Sequence, residues 1–196
     1  THDRDEALRR GKELLESSPT PLGMGAREAV EESIFIQANN RIFGVIFWFM
    51  VLGAGGAWLY RVSDMLRRRA AFEAARQGVP RIRGDLGSVL ALFHGVLSWL
   101  PARLTALAYA CAGSFEDAVG NWRSAVERVG PATGVLDRSE DLLARVGKGS
   151  LQPSLAAASP QALDVATARG AWRIVQRSLW IWVAVIAFLV ITGAAV

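Results

Sequence analysis

Arg103 is the one charge between Asp85 and Glu116. A guanidinium in apolar surroundings needs a carboxylate, a phosphate or helix-end carbonyls as its partner. Otherwise it snorkels to a lipid headgroup region. Asp64, Glu31 and Glu32 are the candidate acidic partners, although paired glutamates also commonly decorate a solvated helix face. Arg61 closes another long uncharged stretch, three residues before Asp64. His94 lies on the Arg103 segment beside Gly95, where a buried, hydrogen-bonded histidine is the plainer reading. Arg61, Asp64, His94, Arg103 and Glu32 are therefore the candidate residues of a pocket for an anionic ligand, or of a structural polar cluster.

Other chemistry is thinly represented. Two histidines and the single Cys111 leave no internal disulfide and no thiolate metal cluster, so no metal or other cofactor is expected. Gly147-Lys148-Gly149-Ser150 lacks the upstream glycine and the Lys-Ser/Thr adjacency of a phosphate loop. No GxSxG or HExxH occurs.

The elements that must position these residues are helices in an apolar chain. Of 196 residues, 52% are apolar. Ile42 to Tyr60 and Ser178 to Val196 are each 19 residues without a charge. At about 1.5 Å per residue such a stretch reaches roughly 28 Å, near the ~30 Å hydrocarbon core of a bilayer. Both are expected to be transmembrane helices, and a water-soluble globule is disfavoured. Neither contains an acid, base or cation, which argues against a proton or ion path. Within the first, Gly53, Gly55 and Gly56 make a small-residue patch that would let another helix approach closely.

Leu86 to Ala102 is a third uncharged stretch, of 17 residues. Pro101 is expected to kink or break a helix there, because it cannot donate to the carbonyl of Leu97. Arginines flank the stretch on both sides. Seven lie between Arg61 and Arg83 against two acids, and Arg169, Arg173 and Arg177 follow later. Both groups favour the cytoplasmic side, so an even number of crossings should separate them. Residues 86–112 are accordingly expected as an embedded or re-entrant helical hairpin, with one full span as the alternative. The arginine run reads chiefly as a topology signal, and it lacks the interleaved aromatics of a nucleic-acid site.

The organisation expected is thus all-α and integral to a membrane. Residues 1–41 form a polar helical lead-in, with a second helix from about Ala26. Residues 42–60 cross, 61–177 form a cytoplasmic helical region containing the embedded segment, and 178–196 cross again. Short amphipathic helices are expected from Phe115, capped by Ser114, to Val129 and from Val135 to Val146. Gly147 to Pro160 reads as a loop. Trp172, Trp180 and Trp182 resemble an interfacial belt.

Several motifs carry a resemblance. Phe47-Trp48, Gly53-Ala54-Gly55-Gly56-Ala57, Tyr60-Arg61 and Leu100-Pro101-Ala102-Arg103-Leu104-Thr105 resemble the CobD/CbiB superfamily, which includes adenosylcobinamide-phosphate synthases. Asn39 to Gly44, Phe47 to Phe49, Gly113 to Ala118 and Trp122-Arg123 look most like its AmpE branch, linked to β-lactamase induction. Such proteins carry further upstream membrane helices, so a missing preceding segment is expected. The synthase pattern departs here at its acids and amides. Ile36, Gln37 and Asn40 stand where it has Glu, Asn and Asp. Arg67 falls on the last acid of its Asn-Thr-Leu-Asp, and His94, Gly95 and Ser98 stand near its paired Asp and Asn.

An ATP-using ligase needs acids to hold Mg²⁺ and polyphosphate. The resemblance therefore implies a non-catalytic, multi-pass protein of the bacterial inner membrane, with a role in β-lactamase induction or cell-wall-recycling signalling. Its expected partners are the lipid bilayer and a membrane or cytoplasmic protein, not nucleic acid. The alternatives are an accessory subunit of a larger membrane complex, or a degenerate adenosylcobinamide-phosphate synthase.

Overall fold

A computed structural model of the chain describes residues 26–77, 86–127, 134–151 and 160–193. All its regular elements are helical. In chain order they are α1 (Ala26–Ala38), a π-helical turn (Asn39–Phe43), α2 (Gly44–Gln77), α3 (Leu86–Ala112), α4 (Phe115–Glu127), α5 (Val135–Ser150) and α6 (Pro160–Ile191). The expected all-α class is found. Three stretches are long and apolar enough to cross a membrane: Val30–Ala74, Leu86–Ala112 and Ala168–Ile191. The helix expected over residues 1–18 lies outside the described residues.

The first apolar stretch is not a straight span. Gly53 has φ 67° and ψ −157°, a backbone state essentially reserved for glycine, and it reverses α2. The Tyr60 hydroxyl lies 3.3 Å from Asn40 Oδ1. In a straight helix residues so far apart in sequence would be separated by about 30 Å. The two arms touch along their length, since Gly44 faces the Tyr60 ring, and a Cβ on Gly56 would sit 2.6 Å from the Trp48 carbonyl oxygen. The three glycines have different places in the hairpin. Gly53 makes the turn, Gly55 has nothing near its Cβ position, and Gly56 packs within the hairpin.

A second correction follows for residues 86–112, which form one continuous helix with Pro101 inside it. Proline leaves the carbonyl of Leu97 without its helical donor. The Trp48 indole Nε1–H supplies the missing bond at 3.0 Å. A donor from a neighbouring element thus replaces the backbone bond, and α3 runs on. One continuous helix over 86–112 has the form of the alternative, a single span, and not that of the hairpin.

Along α3, Val89, Leu92, Val96, Leu100, Leu104 and Leu107 are exposed at helical spacing. This continuous apolar stripe suits a lipid environment. The opposite face packs mainly on α5, whose Leu136, Leu142, Leu143 and Val146 are buried. The core gathers Phe35, Phe43, Tyr109, Leu143 and Val175. Tyr109 meets Phe35 edge-on at 5.1 Å and donates its hydroxyl to the Phe35 carbonyl at 3.0 Å.

Ser114 precedes α4 as expected, and its hydroxyl donates to Asp117 at 2.7 Å. Helix α5 runs past its expected end at Val146 to Ser150. Gly147 lies against the Phe35 ring and Gly149 against Asn121 and the Asp117 carbonyl, so these glycines serve close packing within a helix rather than a loop. Trp182 is drawn toward the core, 5.8 Å from Phe43, while Trp172 and Trp180 stay exposed.

Candidate functional site

The hairpin and the π turn together build a buried polar cluster against α3. A π turn inserts one extra residue per turn and shifts the side chains that follow, a distortion frequent at functional positions. Here it buries both Asn39 and Asn40 fully. Asn39 Nδ2 donates to Asn40 Oδ1 and to Ser98 Oγ, each at 3.2 Å. The Tyr60 hydroxyl approaches Asn40 Oδ1 at 3.3 Å and Ser98 Oγ at 3.4 Å, closing a ring of four side chains from three elements.

One turn further along α2, Ser63 and Asp64 meet His94. The Ser63 hydroxyl donates to the Tyr60 carbonyl at 2.7 Å and lies 2.8 Å from His94 Nδ1. A hydroxyl has one proton, so Ser63 must accept from Nδ1–H, which sets the histidine tautomer. Nε2 then carries a lone pair, 3.7 Å from Asp64 Oδ1 and without a hydrogen bond. Tyr60 stacks on the imidazole with ring centroids 4.8 Å apart. His94 is therefore buried as expected, with one nitrogen bonded and the other facing a carboxylate.

Asp64 is 1% exposed and carries most of the local electrostatics. Arg67 reaches its Oδ1 at 3.0 Å, Arg68 its Oδ2 at 3.0 Å, and Arg61 stands at 3.6 Å. The i+3 and i+4 spacing of Arg67 and Arg68 from Asp64 places all three on one helix face. Arg67 also pairs with Glu140 of α5 at 3.0 Å, which ties α5 to the hairpin. Burial pushes the Glu140 carboxyl above the ordinary range, while Arg67 and Arg68 pull it back. Among the described residues, no group of three or more His, Cys, Asp or Glu side chains could hold a metal ion.

Arg61, Asp64 and His94 are thus brought together, and Glu32 and Arg103 are not. Glu32 pairs with Lys148 at 3.1 Å and fastens α1 to α5. Arg103 stays on its own helix. Its guanidinium lies 4.0 Å above the Trp99 ring and donates to the Trp99 carbonyl at 3.0 Å. A helix carbonyl and an aromatic face answer the partner question posed by its sequence, and among the described residues no acid pairs with it. Replacing Arg103 by Leu is expected to cost about 1 kcal/mol or less, the scale of a partly exposed cation–π contact. Unfolding in mild detergent measures this, and a loss comparable to that of an Asp64 variant would contradict it.

The sequence reading missed Arg41, Asn39, Ser63, Arg67, Arg68 and Glu140 as members of the site. The Asp64–Arg67–Arg68 spacing was the available signal for two of them. An open cleft of about 350 Å³ adjoins the cluster, lined by Arg41, Arg61, Asp64, Met65, Leu66, Arg68 and Arg69. Arg41 stands at the foot of one hairpin arm and Arg61 at the foot of the other. Their meeting depends on the reversal at Gly53.

These features define an all-helical, membrane-type protein with an arginine-rich polar centre between a helical hairpin and a long apolar helix. A family model described as "Regulatory signalling modulator protein AmpE" matches residues 21–196, and the chain belongs to that family. It is similar to the cobalamin biosynthesis protein CobD of Chromobacterium violaceum, at 31% identity over 87% of this chain and 55% of that protein. The CobD protein of Stutzerimonas stutzeri is 32% identical over 63% of this chain and 39% of its own length. Protein AmpE of Shigella flexneri is 29% identical over 94% of this chain and 61% of that protein. The chain therefore spans about half the length of the curated relatives it matches. No solved structure matches it.

Proposed function

We propose that the chain is a non-catalytic regulatory or interaction protein of the bacterial inner membrane, acting in β-lactamase induction through cell-wall-recycling signals. One observation carries the non-catalytic part. Arg67 and His94, two positions that the resemblance to the synthases sets at or near acids, meet at a single spot. The carboxylate at that spot, Asp64, is held by Arg67 and Arg68 at 3.0 Å. A divalent cation approaching it would meet guanidinium groups, which oppose the binding of Mg²⁺ that a polyphosphate-using ligase requires. Binding and relaying suit such a centre better than turnover. The family match supports the regulatory part.

The test has two arms. Deleting the gene in its own host and exposing cells to a β-lactam inducer should change β-lactamase output, and the wild-type gene should restore it. Purified chain should show no Mg²⁺-dependent ATP binding. Unaltered induction in the deletion strain would sink the signalling role. ATP binding with formation of a cobinamide product would establish the synthase alternative.

A further inference from the structure

We propose that the cleft beside the hairpin is a phosphate-binding site for an anionic amphiphile, with Arg41 and Arg61 as its principal contacts. Four guanidiniums line this cleft against one carboxylate, that of Asp64. That carboxylate already accepts from Arg67 and Arg68. Arg61 stands 3.6 Å from the same carboxylate, so one negative charge is shared among three arginines and Arg41 adds a further positive charge at the mouth. Folding the hairpin back brings these like charges to one place, a repulsive arrangement that an anion relieves. Guanidinium forks match phosphate oxygens in a bidentate way, so a phosphate or pyrophosphate group fits the donors present.

The cleft also has apolar walls. Met65 and Leu66 line it and are 58% and 47% exposed. Phe49, Val51, Leu52, Trp58 and Leu59 are exposed on the hairpin rising from it. An anion-binding mouth continuous with a lipid-compatible hairpin favours a ligand with a phosphate head and an aliphatic portion. The same phosphate chemistry could be supplied by a membrane headgroup or by a soluble pyrophosphate. The inference deepens the binding role proposed above. It is tested by binding alone, so its failure would leave the induction experiment to judge that role.

The full chain in mild, uncharged detergent is titrated by calorimetry with three probes. They are a short-chain phosphatidylglycerol, a short-chain phosphatidylcholine of equal tail length, and inorganic pyrophosphate. The Arg41→Gln/Arg61→Gln double variant is compared with Arg123→Gln, which removes an exposed charge on α4. Both altered arginines in the double variant are at least partly exposed, so its fold should survive. Phosphatidylglycerol should bind at least tenfold more tightly than phosphatidylcholine. The double variant should lose at least tenfold, and Arg123→Gln should change little. If pyrophosphate is the tighter probe and is lost in the same double variant, the site stands and its ligand is the soluble phosphate. Equal binding of the two lipids without pyrophosphate binding overturns the proposal. So do wild-type affinities in the double variant, or no binding of either anion to the wild type.

Discussion

Asp64→Asn should destabilise the folded chain by about 3 kcal/mol or more, the scale for removing one partner of a buried ion pair. The carboxylate is 1% exposed and is shared by Arg67 and Arg68, whose side chains are 13% and 18% exposed. Asparagine keeps the shape but loses the charge, and two guanidiniums then remain in poorly hydrated surroundings, with Glu140 still paired to Arg67. Arg67 would be expected to shift toward Glu140, loosening the junction between the hairpin and α5. Denaturant unfolding in mild detergent, followed by helical circular dichroism, measures the effect. A midpoint equal to that of the wild type would mean that the cluster is solvated and that its ion pairs are of the weak surface kind.

Gly44→Leu should open the hairpin, with an expected cost of about 3 kcal/mol, at the upper end for an overpacked site. The Cβ position of Gly44 already runs into the Tyr60 ring. A leucine must push Tyr60 off His94 and pull its hydroxyl away from Asn40 and Ser98. Loss of stability should therefore come with a changed environment for His94, readable from its imidazole NMR signals. Wild-type stability together with unchanged His94 signals would show that the two arms do not close on each other.

The two variants probe parts of the structure that were unequally visible in the sequence. Helical class and the three apolar stretches follow from composition and run length, because apolar residues must be buried or lipid-facing regardless of detail. The Asp64, Arg67 and Arg68 pairing is local, and helical spacing displays it. Gly53 and Pro101 were less legible for a physical reason. Glycine permits both close helix packing and a reversed backbone, and the sequence around Gly53 does not choose between them. Proline breaks a helix when its orphan carbonyl stays bare, and the donor that rescues Leu97 comes from Trp48, remote in sequence. Arg41 was missed in consequence, since only a reversed chain brings it to Arg61. Arg103 drew attention because it interrupts an apolar run, yet its partners lie one helical turn away.

Trp48 and Pro101 are energetically coupled through one carbonyl. With the indole in place, a proline at 101 costs α3 little, and exchanging it for alanine would simply release the tryptophan from its duty. The opposite order is punishing, because losing the indole first strands a carbonyl where water is scarce. Substitutions at the two positions are thus commutative in outcome but not in path. With proline at 101, α3 depends on the tryptophan, and through it on the placement of the hairpin beside the helix.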